Sequence, residues 1–158
     1  MNDKQPADSK LRFMGKEKLT MADFPKIEGV ESKKKMALTI ELPWPDKWCN
    51  PNNIHRMANA RARKEQRDYA YSMTLSHRFN PFGDWNWDFE ISIAYTFCPP
   101  DKRKRDLSNF VASMKGAEDG IADALGVDDS HFHPQEPQWG EVEPDGKVVV
   151  RLEELKND

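Results

Sequence analysis

The chain has 158 residues, 32% of them charged and 37% apolar, with a formal net charge of -3. That length suits one domain with a modest core, and the charge balance excludes a surface coated in positive potential, so any nucleic-acid contact must be local. No apolar run approaches the roughly 20 residues of a membrane span, and the start Met-Asn-Asp-Lys-Gln lacks the apolar centre of a signal peptide. Cys49 and Cys98 lie far apart without CxxC spacing, so reduced thiols in a cytoplasmic protein are expected.

Residues 1–36 are polar, lysine-rich and aperiodic, and predict a flexible N-terminal arm. The folded domain is expected over 37–158. From Ala37, Leu38, Ile40 and Leu42 alternate with Thr39 and Glu41, the period of a half-buried strand. Pro43 and Pro45 end it, and Asn50-Pro51-Asn52-Asn53 makes a turn-rich loop. Ile54 to His77 reads as a helix, with Ala58, Ala62, Tyr69 and Met73 on one stripe and Arg56, Arg63 and Arg67 almost opposite. That basic face is either simply solvated or a rail for a nucleic-acid backbone.

After a loop at Asn80–Asp84, Phe89, Ile91, Ile93, Tyr95 and Phe97 alternate with polar or small residues, the clearest strand in the chain. It leads through Pro99-Pro100 to the run Lys102-Arg103-Lys104-Arg105 and then to Asp106. Leu107 to Leu125 has helical period, with Leu107, Phe110, Val111, Met114, Ile121 and Leu125 on its apolar stripe. Gly116 and Gly120 weaken that helix by roughly 1 kcal/mol each relative to Ala, so a break or a functional demand is expected at 116–120. A short extended piece over 131–139, a turn at Pro144-Asp145-Gly146 and a last strand holding Val148, Val150 and Leu152 follow. The spacing at the C-terminus suggests a hairpin. Together these elements predict an α+β domain, a mixed or antiparallel sheet of about four strands against two main helices.

The chemistry concentrates between Pro99 and Ser130. Four cations pass directly to Asp106, and the segment closes on Asp128-Asp129. Cations hold phosphates, and carboxylates hold a hard divalent ion such as Mg²⁺. Each residue also has a plainer role: Asp106 as a helix N-cap, Lys115 in an exposed i,i+4 pair with Asp119, and Asp128-Asp129 as a solvated turn. His131 and His133 alternate on an extended piece, so both face one side, either as surface histidines or as ligands for Mn²⁺ or Zn²⁺.

Arg105-Asp106-Leu107-Ser108-Asn109, then Lys115, Asp119-Gly120-Ile121-Ala122-Asp123-Ala124-Leu125-Gly126-Val127 and Asp128-Asp129-Ser130 resemble the signature of RusA-type Holliday junction resolvases. Leu42-Pro43-Trp44-Pro45 and Asn50-Pro51-Asn52-Asn53 resemble that family's opening strand and Asn-containing loop, and the similarity runs from about Ala37 to Leu155. The resemblance implies a homodimeric endonuclease of bacteria and their phages that cuts four-way DNA junctions with Mg²⁺, Mn²⁺ being the second candidate. It places the family's first aspartate on Asp106, the third on Asp129 and the lysine on Lys115, three residues later than in the family's compact form. The second aspartate falls on Ser108, which is not an acid. Asp128 or Asp101 is then expected to supplement the metal ligands. Lys102, Arg103, Lys104, Arg105, Arg56, Arg63, Arg67 and Asn53 are expected to contact DNA. A non-catalytic binder of branched DNA on the same scaffold is the alternative, and a protein-interaction module the third.

Overall fold

A computed structural model describes residues 36–78 and 89–155 of the chain. All of the expected arm over residues 1–36 except Met36, and the loop at Asn80–Asp84, lie outside the described residues. The elements, in chain order, are β1 (Ala37–Pro43), α1 (Arg56–Arg78), β2 (Ile91–Cys98), α2 (Leu107–Ala112), α3 (Lys115–Leu125), β3 (Phe132–Pro134), β4 (Gln138–Trp139) and β5 (Lys147–Glu154). Single 3-10 turns stand at Lys47–Cys49 and Asp129–His131.

Alternating hydrophobicity sets the sheet. Its order is β1-β5-β2-β3, with β4 also on β2; β5 pairs antiparallel with both neighbours, and β3 and β4 run parallel to β2. The register aligns the apolar positions of three strands into rows: Leu38–Leu152–Ile93, Ile40–Val150–Tyr95 and Leu42–Val148–Phe97. All nine side chains are buried. Burying one such side chain contributes about 1.5–3 kcal/mol, and slipping one strand by a residue would turn its whole set to water. Onto these rows pack Ala70 of α1 and Ala117, Ile121, Ala122 and Leu125 of α3, with Met114 just before it. The α+β expectation therefore holds, with five strands in place of about four. The C-terminal hairpin does not form, because β5 enters the sheet between β1 and β2 while β4 joins the far side of β2. Cys49 and Cys98 are buried free thiols, as expected.

Both helical expectations need correction. The run from Leu107 to Leu125 is two helices, broken at Ser113–Met114 rather than at the glycines. Ser113 ends α2 by bonding its Oγ to the Asn109 carbonyl at 2.7 Å, and Met114, at φ -89° and ψ 0°, is fully buried. The glycines serve another purpose, a close approach to α1. A Cβ on Gly116 would stand 2.7 Å from the Arg63 carbonyl oxygen, and one on Gly120 would stand 2.2 Å from that of Arg67. Only residues without a side chain allow two backbones so near each other. On α1, Tyr69 is exposed rather than on the buried stripe, and the partly buried Arg63 lies along α3 rather than opposite the packed face. The helix packs on two partners, sheet and α3, so a single stripe could not describe it.

Candidate functional site

The end of β2 delivers the basic run. Beyond Pro99-Pro100, Asp101 accepts from the Arg103 backbone N–H at 2.8 Å and from the Arg105 guanidinium at 2.8 Å. The Arg103 backbone bond first, then Arg105, hold its carboxyl below the usual range. Arg105 is folded inward. It donates to the carbonyls of Asp101 and Arg103, stacks 5.6 Å from the centre of the Trp44 ring, and leaves only 16% of its side chain exposed. Beneath it, Trp44, Phe97, Phe110 and Trp139 form an aromatic cluster with ring centres 4.7–6.4 Å apart. Lys102, Arg103 and Lys104 remain exposed on this rigid base.

Asp106 caps α2. Its Oδ1 accepts from the Ser108 backbone N–H at 3.0 Å and from the Ser108 hydroxyl at 2.7 Å. The hydroxyl is the larger cause of the carboxyl's lowered pKa, followed by the backbone bond. Ser108 thus donates twice to Asp106, from its backbone and from its hydroxyl. Behind it, Asn109 accepts from Asn52 at 3.2 Å, tying the Asn-rich loop to α2. Asn53 turns its own side chain to the His55 N–H at 3.2 Å. An open groove of about 330 Å³ lies between that loop and α2, bounded by Trp44, Lys47, Asn50, Asn109 and Phe110.

Lys115 starts α3, where a cation runs against the helix dipole. Two carboxylates hold it there: Asp129 in a short ion pair, and Asp119 at 3.0 Å. Asp129 first, then Asp119, push the ammonium pKa well above its ordinary value. The chain returns to Asp129 because Gly126 ends α3 in the left-handed conformation, φ 71°, with the Val127 N–H bonding the Ala122 carbonyl at 3.1 Å. Asp128 caps the following 3-10 turn through the Ser130 N–H at 2.9 Å, and hydrogen bonding by Ser130 lowers its pKa. Under this cluster Glu118 accepts from the Tyr95 hydroxyl at 2.6 Å. Burial raises the Glu118 pKa, against the opposing pull of that bond.

The structure thus joins Lys115 to Asp129 and also to Asp119. Its only sequence signal was the i,i+4 position after Lys115. Among the described residues, no hydrogen bond or ion pair links Asp106 to Lys115, Asp119 or Asp129. Asp101 is committed to Arg103 and Arg105, and Asp128 to Ser130. Among the described residues, no three His, Cys, Asp or Glu side chains stand ready as a ligand set for a metal ion. Of the expected DNA contacts on α1, Arg56 is exposed at its first turn, Arg67 pairs with Asp123, and Arg63 has a buried Nε with no hydrogen-bond partner among the described residues. Arg63, Lys64, Arg67, Lys115 and Asp119 line one shallow cleft along the α1–α3 seam. Among the described residues, no helix is long and apolar enough to cross a membrane.

No family model matches the chain. It is 32% identical over 119 residues to an uncharacterized protein of Xylella fastidiosa, an alignment covering 75% of this chain and 77% of that protein. The chain belongs to the same family as that bacterial protein.

Proposed function

We propose that this protein is a metal-dependent endonuclease of the RusA type, which hydrolyses phosphodiester bonds at four-way DNA junctions in the bacterial cytoplasm. The observation that carries the reading is the cluster at the start of α3, where Asp119 and Asp129 converge on the Lys115 ammonium. A lysine at a helix N-terminus, unfavourable for the helix itself, departs from local rules in the way functional positions do. Asp119 and Asp129 carry the oxygen donors that Mg²⁺ or Mn²⁺ takes, and they would be released to the ion as the Lys115 ammonium turns from them to the phosphate. Asp106 and Asp129 would hold it, with Asp119 and Asp128 in support. When bound, the ion would polarise the phosphate and lower the pKa of a water.

The remaining work falls to the chain. Lys115 neutralises charge building on the phosphate oxygens. Lys102, Arg103, Lys104 and Arg56 grip backbone phosphates and position the junction without reading sequence. Arg105 and the aromatic cluster keep that ledge rigid. A two-fold homodimer presents one such site to each of the two strands to be cut.

One observation favours the second reading, a non-catalytic binder of branched DNA: Ser108 spends its hydroxyl on Asp106 instead of supplying a second acid. A labelled four-way junction, incubated with protein across a Mg²⁺ titration, separates the two. Nicked product that appears only with Mg²⁺, and at lower Mg²⁺ for Ser108→Asp than for wild type, is the expected result. Retarded but intact DNA at every Mg²⁺ concentration would leave the binder.

A further inference from the structure

A second cluster lies on the sheet edge, outside the machinery just described. β3 pairs parallel with β2, Ile91 opposite Phe132 and Ser92 opposite His133. Alternation along the strands then brings Glu90 to the same face as His131 and His133. His131 Nδ1 lies 3.1 Å from Glu90 Oε1, and His133 Nε2 meets Oε2 of the same carboxylate. The two bonds to the histidines hold the Glu90 pKa down, that to His133 most.

We propose that Glu90, His131 and His133 form a site for a borderline divalent transition-metal ion, Zn²⁺ or a neighbour in that series. Two imidazoles and one carboxylate, from the residue before β2, the turn before β3 and β3 itself, make a donor set that suits such ions and gives Mg²⁺ little. As the chain stands, the carboxylate lies between the rings and satisfies both, so the three donors are closed on one another and not arranged round an empty point. An ion would take the place of those two hydrogen bonds. Ligand bonds of about 2.0–2.2 Å put tetrahedral donors roughly 3.3–3.6 Å apart, a few tenths of an ångström beyond the 3.1 Å already found between His131 and Glu90. Side-chain rotation supplies the rest, and all three side chains are free to turn, being 37–50% exposed. Each ring would bind as the neutral tautomer with its proton on the far nitrogen. Water completes the coordination on the open side. Bound there, the ion would staple the start of the short edge strand β3 to the start of β2.

Titration calorimetry of the full chain with Zn²⁺, in Mg²⁺-free buffer after chelator treatment, tests this. Wild type is expected to take up one Zn²⁺ that is lost in Glu90→Gln and in the His131→Ala/His133→Ala double variant. Asp129→Asn is expected to keep that uptake, which separates this site from the proposed nuclease centre. Circular dichroism of the metal-free variants checks that they fold. Zn²⁺ should also raise the wild-type Tm and leave that of the double variant unmoved. Equal Zn²⁺ uptake by wild type and the double variant would overturn the site, as would loss of uptake in Asp129→Asn.

Discussion

Glu118 shows how a carboxyl can be partly buried with a hydroxyl as its hydrogen-bond donor. The Tyr95 hydroxyl donates to it at 2.6 Å, inside the wall between β2 and α3. Because burial raises the Glu118 pKa in the folded chain, the protonated form favours folding, and that contribution is withdrawn as pH rises through the raised value. Glu118→Gln keeps an acceptor for Tyr95 and removes the ionisation. It is expected to match or exceed wild-type stability at pH 7, with the difference in its favour shrinking as pH falls towards 4. Glu118→Ala leaves the tyrosine hydroxyl unpaired and should cost about 1–3 kcal/mol. Urea denaturation across that pH range measures both; a wild type that gains on Glu118→Gln as pH rises would contradict the assignment. Ser108 makes a second prediction at this scale. Since its hydroxyl is the largest cause of the lowered Asp106 pKa, Ser108→Ala should move that carboxyl back up, which carbon-detected NMR titration reads directly.

Among the elements, the α1–α3 seam is the most demanding contact. Gly120→Ala gains helix propensity, about 1 kcal/mol, but its methyl would meet backbone at 2.2 Å. Overpacking of this kind costs about 1–3 kcal/mol, and against main chain the cost belongs at the upper end, so net destabilisation by chemical denaturation is expected. A neutral or stabilising result would mean the helices can part freely. The same seam marks where sequence reading stops. The strands were legible because alternation is local: β1, β2 and β5 each carry their own period. The break at Ser113–Met114 was not, since Met114 is apolar and stays in phase with both helices. The role of Gly116 and Gly120 depends on Arg63 and Arg67, some 53 positions earlier, and no local pattern carries that. Conversely, the pairing of Lys115 with Asp119 and the shared face of His131 and His133 followed from spacing alone. Their common partner Glu90 did not, as it sits 41 positions before His131.

For the molecule as a whole, net charge conceals a local gradient: the chain is acidic at -3, yet Lys102, Arg103 and Lys104 project together from the end of β2. If these hold phosphates, junction affinity falls steeply with salt, and replacing all three with Ala should flatten the log–log slope by roughly two to three units. Arg105→Ala is expected to behave differently, loosening the ledge and lowering stability more than it changes the slope. Equal effects from the triple variant and from Arg105→Ala would contradict that division. Catalysis is the claim on which the rest turns. It is tested most directly by single-turnover cleavage of a labelled four-way junction in Mg²⁺, comparing wild type with Lys115→Met, Asp129→Asn and Asp106→Asn at matched occupancy. The account predicts Mg²⁺-dependent cleavage in wild type, slowed about 10²–10³-fold or more in each variant, with junction binding retained. Wild-type rates in Asp129→Asn and Asp106→Asn, or no cleavage by wild type at any Mg²⁺ concentration, would contradict it.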